Sequence, residues 1–362
     1  MTRPAMWRVG QISSTKSRQK IAAASGRPVR TSWAPLSGHA TLSDGTTYGY
    51  VAVAPADPEK PTFLFLHGYP SSSYDWRHQI KSLPEAGFGV IVPDLLGYGD
   101  TDAPTNIEAY RMKAMSQHMA EILDKEGVSR CFAVSHDWGS GLLSRLITYI
   151  PNRLHGAVFV SVGYVEPKLV WDIDALLALT RQMFGYETYG YWPWHNSEEA
   201  AKDCDQNPAS VFSLIYPSDP EDWKKDFAPI DKAREFVQSG RLGPLPPWYD
   251  LAEYTTRDRI LRMKGYRGPL SWYKAAMRGV NLADEESIAD EDRSYDLPTL
   301  LVVSDLDFVT RADMQSQQTM KWARDLRIET MRDCGHWIPL QRPAELHNLL
   351  VGFTGKRGEQ GK

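Results

Sequence analysis

The sequence predicts an α/β fold class, in which a mostly parallel central sheet has helices on both faces and an inserted helical cap (lid). Three observations support this prediction. Continuous apolar runs of strand length, such as 62–66, alternate with segments of helical periodicity, which is the pattern of a parallel sheet buried on both faces. Polar and acidic residues follow directly after several of these runs. The aromatic-rich segment 165–295 contains no clear buried strand.

The strand signals come in two blocks, separated by that segment. Two alternating segments near the start flank Asp44-Gly45, which is a hairpin turn signal. The predicted strands are 39–43, 48–53, 62–66, 90–92, a run that begins at 132, 157–162, 299–303 and 326–331. Helical periodicity is found over 115–123 up to Gly127, from 138 to Pro151, and over 343–353.

The change in character along the chain predicts its domain organisation. We expect an N-terminal extension at 1–35, a first part of the core at 36–164, a helical cap at 165–295 and a second part of the core at 296–362. The cap segment holds six of the twelve tryptophans and nine of the seventeen tyrosines. Aromatic-rich helices inserted into an α/β sheet domain are typical of a lid.

The composition excludes several classes of protein. The 362 residues are 42% hydrophobic and 24% charged, with a formal net charge of −4, so nothing favours a nucleic-acid partner. No run of about 18 apolar residues is present, so we expect no membrane span. Three widely spaced cysteines, an odd number, argue against a disulfide framework and favour a reducing compartment.

The first 35 residues differ from the rest because they carry seven basic residues and no carboxylate; the first acidic residue is Asp44. A basic, acid-free start resembles a mitochondrial transit segment. The amphipathic pattern is weak, however, so a solvated extension is the favoured interpretation. We therefore expect a cytoplasmic protein, with a mitochondrial location as the alternative.

The stretch 132–140 passes from an apolar strand through small residues into a helical pattern. Ser135 and Gly139 flank Asp137, two residues away on either side. Both are small, as expected because a tight turn leaves no room for larger side chains around its tip. This is the pattern of a nucleophile elbow, which projects its tip residue into a pocket. A carboxylate at the tip, in place of the common serine, favours attack on a saturated carbon. The alternative is an ordinary helix-capping aspartate.

Two later strand ends offer partners for Asp137. Asp305 and Asp307 follow the strand 299–303, and His336 follows the last strand, within Asp-Cys-Gly-His-Trp. The chain order of nucleophile, acid and base is that of the α/β-hydrolase fold. Polar residues beyond the carboxyl ends of parallel strands meet at one edge of the sheet, so we expect these side chains to form one site.

Further motifs narrow the class. They are Asp137-Trp-Gly at the elbow, His67-Gly-Tyr-Pro70 after the strand 62–66, and the cap segments Phe184-Gly-Tyr-Glu-Thr-Tyr189 and Arg267-Gly-Pro-Leu-Ser-Trp-Tyr273. Over about 36–355, the chain resembles the epoxide hydrolases of the α/β-hydrolase fold, whose lid carries paired tyrosines in two such segments. One departure is Ser135, where glycine is usual.

The resemblance implies roles for individual residues. Asp137 would open the epoxide by forming an alkyl ester, while Tyr186 and Tyr273 donate protons to the epoxide oxygen. His336, oriented by Asp307, would activate water for ester hydrolysis.

The resemblance also implies an oxyanion hole, and it leaves alternatives open for the acid and for Tyr186. The backbone N–H groups of Tyr69 and Trp138 would stabilise the oxyanion. The alternative acids are Asp305 and, as in some relatives, Glu166; the alternatives to Tyr186 are Tyr189 and Tyr191. No metal or organic cofactor is expected.

The expected partners are a small apolar or aromatic epoxide and water. The expected oligomeric state is a monomer or a homodimer. The closest alternative is a haloalkane or haloacid dehalogenase, which shares the Asp nucleophile but needs no proton donor for its leaving group. A serine esterase is disfavoured because no serine stands in an elbow context. A non-catalytic ligand-binding member of the fold would be expected to lack a member of the triad.

Overall fold

The computed structural model describes residues 37–355, so the predictions for 1–35 lie outside the described residues. The strands are β1 Ser37–Thr41, β2 Thr47–Val53, β3 Thr62–Leu66, β4 Gly89–Pro93, β5 Cys131–His136, β6 Leu154–Val160, β7 Thr299–Ser304 and β8 Leu326–Met331. The α-helices are α1 Arg77–Glu85, α2 Met112–Lys125, α3 Trp138–Tyr149, α4 Ile173–Phe184, α5 Trp192–His195, α6 Ala200–Gln206, α7 Pro208–Ile215, α8 Trp223–Asp226, α9 Lys232–Gln238, α10 Leu251–Arg262, α11 Arg267–Met277, α12 Leu282–Glu285, α13 Ala312–Trp322, α14 Ile338–Gln341 and α15 Pro343–Gly355.

One sheet joins the described strands in the order β1-β2-β4-β3-β5-β6-β7-β8. β1 and β2 form the predicted hairpin, with Gly45 in the turn at a φ of 89°. β2 pairs antiparallel with β4, whereas the strands from β4 to β8 in this order are parallel to one another. The carboxyl ends of these parallel strands therefore lie at one edge of the sheet, where sites form in such folds.

The predicted strands are confirmed with small shifts. The continuous apolar runs are buried on both faces, and every residue of β3, β4, β5 and β7 is buried. β6 begins three residues before its predicted start and ends two residues before its predicted end. The apolar side chains form one cluster on each face of the sheet, which confirms a sheet with helices on both faces.

The segment between β6 and β7 forms the helical cap. Helices α4 to α12 occupy it, and its aromatic rings pack among themselves and against the core. The division of the chain at 165 and 295 stays a prediction. Within residues 37–355, no helix is both long and apolar enough to cross a membrane.

Candidate active site

Asp137 stands at the tip of a strained turn between β5 and α3. Its backbone has a φ of 51° and a ψ of −124°, a conformation that costs energy in a residue with a side chain and is concentrated at functional sites. Gly139 is required because a Cβ at this position would lie 2.3 Å from the carbonyl oxygen of Leu66. The Ser135 hydroxyl is fully buried and lies 2.9 Å from the Ser140 hydroxyl. A serine therefore fits where glycine is usual.

Two backbone N–H groups point at the Asp137 carboxylate. The N–H of Tyr69 donates to its Oδ1 at 2.7 Å, and the N–H of Trp138 also hydrogen-bonds to it. The loop after β3 can approach this closely because Gly68 has no side chain, and a Cβ there would lie 2.2 Å from Oδ1. The predicted oxyanion donors thus lie against the predicted nucleophile.

The loop that carries Tyr69 is held from both the core and the cap. On the core side, Nε2 of His67 accepts the N–H of Leu95 at 2.9 Å. On the cap side, the carbonyl of Pro70 accepts the Tyr216 hydroxyl at 3.2 Å and the Arg257 guanidinium at 3.0 Å. The sequence analysis missed these cap contacts, since nothing local to α10 marks its arginine as buried.

His336 and Asp307 form a tight pair. Nδ1 of His336 lies 2.7 Å from Oδ2 of Asp307, and Nε2 of His336 lies 3.7 Å from Oδ2 of Asp137. Asp307 also accepts the N–H groups of Val309 and Thr310 and the Thr310 hydroxyl, at 3.0, 2.9 and 2.5 Å. The carboxylate is fixed by its own loop, and it holds the imidazole with the opposite nitrogen facing Asp137.

The backbone of the histidine loop is anchored as well. The carbonyl of His336 accepts the Ser161 hydroxyl at 2.6 Å and Nε2 of His136 at 2.9 Å. Burial and the neighbouring His336 hold the pKa of His136 well below its usual value. His136 is therefore a neutral support of the site.

The pKa values of Asp137 and His336 are both raised. Burial raises the pKa of Asp137, although His336 and the two backbone N–H groups oppose the rise. For His336, burial lowers the pKa, but the adjacent Asp307 carboxylate outweighs it and Asp137 adds to the effect, so the net pKa is raised. Asp137 and His336 each stabilise the charged form of the other across 3.7 Å, while burial opposes both charges.

The alternative acids do not contact His336. Asp305 accepts the N–H of Cys334 at 3.4 Å and lies 3.9 Å from Arg332, so it organises the turn after β7. Glu166 is buried and accepts a hydrogen bond from Gln318. Of the three predicted carboxylates, Asp307 is the one that the structure brings to the histidine.

The structure places the two predicted tyrosines in different surroundings. Tyr273, on α11, lines the same small cavity as Asp137 and His336. Tyr186 does not line either cavity at Asp137, and its hydroxyl donates to the carbonyl of Phe308 at 2.8 Å. The physical reason is that the left-handed Gly185 ends α4 and Tyr186 comes directly after this turn. Tyr191, one of the alternatives, lines both cavities with Asp137.

Tyr191 and Tyr273 face each other across the site. Their ring centroids are 6.0 Å apart in an edge-on arrangement. Burial raises the pKa of both phenols well above the usual value, and the nearby Asp137 carboxylate acts in the same direction. Both hydroxyls therefore stay protonated at neutral pH. The other alternative, Tyr189, lines only the larger cavity, where its hydroxyl accepts a weak 3.5 Å hydrogen bond from Gln315.

A carboxylate at a strained elbow, two N–H groups against it and a His-Asp pair at the ends of parallel strands form the arrangement of an α/β-hydrolase site, with a carboxylate at the tip of the elbow. The chain belongs to the alpha/beta hydrolase fold family, whose sequence model matches residues 61–343.

The relatives are consistent with the expected branch of this family. Bifunctional epoxide hydrolase 2 of Mus musculus is 28% identical over 319 residues, which are 84% of this chain and 55% of the mouse protein. Epoxide hydrolase A of Mycobacterium tuberculosis is 27% identical over 311 residues, 83% and 92% of the two chains. The chain spans about half the length of the mammalian relatives it matches.

The solved structures agree with this relationship. The crystal structure of Epoxide Hydrolase A from Mycobacterium thermoresistibile superimposes with a TM-score of 0.71 at 25% identity, covering 88% of this chain and 98% of that one. The resemblance to epoxide hydrolases is thus confirmed. The oligomeric state and the cellular location stay predictions.

Proposed function

We propose that this protein hydrolyses epoxides to vicinal diols through an ester intermediate on Asp137. The observation that carries the proposal is that two protonated phenols, Tyr191 and Tyr273, line the same cavity as the Asp137 carboxylate. An epoxide opens by displacement at a saturated carbon and leaves an alkoxide, which needs a proton donor. The names of the relatives, which are epoxide hydrolases, support the same activity.

In the first step, the epoxide oxygen accepts hydrogen bonds from the two tyrosines while Asp137 attacks a ring carbon. Oδ1 of Asp137 is held by the Tyr69 N–H, so Oδ2 is the attacking atom. The carbon–oxygen bond of the ring breaks, its electron pair moves to the oxygen, and a phenol proton neutralises the alkoxide. The product is a hydroxyalkyl ester of Asp137.

In the second step, Nε2 of His336 takes a proton from water, whose oxygen attacks the carbonyl carbon of the ester. Asp307 accepts Nδ1–H and stabilises the imidazolium, and the N–H groups of Tyr69 and Trp138 stabilise the oxyanion. When the ester bond breaks, the imidazolium protonates the departing diol oxygen. The carboxyl proton of Asp137 is then released, and it restores the phenol.

A dehalogenase is the second candidate because indoles also line the large cavity, and two of them, Trp138 and Trp192, lie together beside Asp137. The rings of Trp138 and Trp192 lie 5.3 Å apart, and the buried Nε1 of Trp192 has no hydrogen-bond partner in the described structure. A halide ion needs N–H donors of this kind and no proton. The two phenols would then have no role in the reaction, which is why we favour the epoxide.

The test is a screen of aryl and alkyl epoxides, haloalkanes and carboxylic esters with the wild type and Asp137→Ala. We expect diol formation by the wild type and a loss of at least about 10⁴-fold in kcat for the variant, as for removal of a nucleophile that acts with its base. Full diol formation by Asp137→Ala would overturn the nucleophile assignment. Halide release that is faster than diol formation would favour the dehalogenase.

A further inference from the structure

Two cavities of very different size meet at Asp137. The larger has a volume of about 430 Å³ and extends from Trp138 and Tyr191 towards α4. The smaller has a volume of about 20 Å³ and lies on the side of His336 and Tyr273. Because Asp137 and Tyr191 line both cavities, an epoxide ring held between them would direct one substituent into each.

The small cavity has room for little more than one water molecule, which needs at least about 10–15 Å³. Its outer wall consists of buried side chains, among them Ile215, Trp223 and Trp337. The Trp337 ring stacks on Tyr216 at 4.1 Å and donates its N–H to the carbonyl of Ile215 at 2.8 Å. The Trp223 N–H is also bonded, to a carbonyl in α7 at 2.8 Å. These contacts hold the side chains of the wall in place, so they cannot move aside for a large substituent.

The large cavity accepts an apolar group. Aromatic and aliphatic side chains dominate its lining, including Trp171, Trp192 and Leu176. Its rim reaches the protein surface at Val170 and Leu179, whose exposed fractions are 68% and 47%. Two exposed apolar residues at this rim mark the mouth through which an apolar substrate would reach Asp137.

The charges in the large cavity disfavour an anion. Asp137, Glu166, Asp172 and Glu285 line it, against one cation, Arg145. Nε of Arg145 lies 2.7 Å from Glu285, and both side chains are buried, so this cation is already paired. A substrate carboxylate placed here would lie near the carboxylates of the buried Glu166 and of Asp137, and no unpaired lining cation is left to offset its charge.

On the basis of the proposed function, we infer that the substrates are neutral epoxides with one bulky apolar substituent, whose other ring carbon carries hydrogen or at most a methyl group. The bulky group fills the large cavity. The small cavity is left to the second ring carbon and, in the second step, to the water beside His336.

The test compares kcat/KM for styrene oxide, trans-β-methylstyrene oxide and trans-stilbene oxide, which differ only in the second substituent. We expect a fall of about 100-fold from hydrogen to phenyl, as overpacking a rigid wall would cause. Ile215→Ala opens the small cavity and should recover about 10-fold in the ratio of stilbene oxide to styrene oxide. Val309→Ala is the second variant on the same wall, should the first fail to fold.

Two controls complete the design. Leu169→Ala enlarges the large cavity by the same kind of truncation, and we expect it to leave the stilbene-to-styrene ratio low. A terminal epoxide that ends in a methyl ester should be hydrolysed at least about 10-fold faster than its free carboxylate, as expected for a like-charge penalty.

The results that would overturn the inference are distinct from those against the proposed function. Equal turnover of stilbene oxide and styrene oxide by the wild type would overturn the size argument, and equal turnover of ester and carboxylate would overturn the charge argument. Both would leave epoxide hydrolysis standing. Failure of the wild type to hydrolyse any epoxide would overturn the proposed function and the inference together.

Discussion

The core side and the cap side of the site are held by different forces. On the core side, Asp307 accepts four hydrogen bonds and the His336 carbonyl accepts two. On the cap side, the tyrosines are held mainly by ring contacts. Tyr191 stacks on Phe227 at 4.1 Å, and Tyr273 packs edge-on against Trp138 at 4.9 Å. Directional bonds fix His336 and Asp307, whereas packing fixes the two tyrosines.

This difference separates the two half-reactions of the proposed mechanism. Hydrogen bonds have narrow geometric limits, so the core side would keep the water-activating pair in one orientation. Ring contacts are less directional, so the cap can vary the position of its hydroxyls and the shape of the cavities without disturbing the triad. We therefore expect core substitutions to affect ester hydrolysis and cap substitutions to affect epoxide opening.

The largest effect should come from the core side. His336→Gln removes the base but leaves Asp137 and both phenols in place, so an ester should form and persist. We expect kcat to fall by about 10³-fold, within the range for loss of general base catalysis. Intact-mass spectrometry should show an adduct of enzyme plus substrate, and peptide mapping should assign it to Asp137. The same epoxide with Asp137→Ala is the control, and absence of the adduct in His336→Gln would contradict the two-step mechanism.

A smaller effect should come from the cap side. Tyr191→Phe and Tyr273→Phe should each slow ester formation by about 10²-fold, since removing one donor leaves the other. Tyr186→Phe is the matched control because its hydroxyl donates to the Phe308 carbonyl, and its rate should stay within about twofold. Single-turnover measurements separate ester formation from hydrolysis. A greater loss in Tyr186→Phe than in Tyr191→Phe would reverse the tyrosine assignment.

The smallest expected effect is a difference between the pKa of His336 in the free enzyme and its pKa in the ester intermediate. Asp137 contributes to the raised pKa of free His336, and its charge is lost when it becomes an ester. The pKa of His336 should then be lower in the intermediate, so ester hydrolysis should persist to lower pH than the titration of free His336 would allow.

Comparing two titrations tests this shift. NMR titration of His336 in the free enzyme gives one pKa, and the rate of single-turnover hydrolysis against pH gives the other. Asp307→Asn, which removes the largest cause of the raised pKa, should lower the free-enzyme value. Equal values in the free enzyme and the intermediate would contradict the electrostatic coupling of Asp137 to His336.

The parallel core could be predicted because its signals are local. The run 62–66 coincides with β3, and the turn signal at Asp44-Gly45 gives the β1–β2 hairpin. Three core helices of the described structure, α1, α13 and the four-residue α14, were not predicted. α1 contains Pro84, and α13 is rich in Gln with few apolar residues on its inner face. Packing against the sheet therefore stabilises these two helices, and their sequences show no clear helical period of apolar residues.

Some residues of the candidate site could likewise be predicted from the sequence, and others could not. Asp137, Asp307 and His336 follow strands whose parallel ends must meet, so the sequence alone determined which polar residues could come together. Thr310, which was missed, lies three residues after Asp307, a spacing that could have indicated a side-chain turn. Tyr186 and Tyr191 could not be told apart, because they are only five positions apart and both stand in aromatic surroundings.

The sequence by itself determined the fold class, the elbow and the chain order of nucleophile, acid and base, because each depends on neighbouring residues or on the common edge of a parallel sheet. Only the tertiary structure decided that Tyr191 lines the same cavities as Asp137, that Arg257 holds the loop that carries Tyr69 and that the two cavities differ about twentyfold in volume. The physical reason is that these features depend on how the cap helices pack on the core, and side chains far apart in the chain decide that packing together.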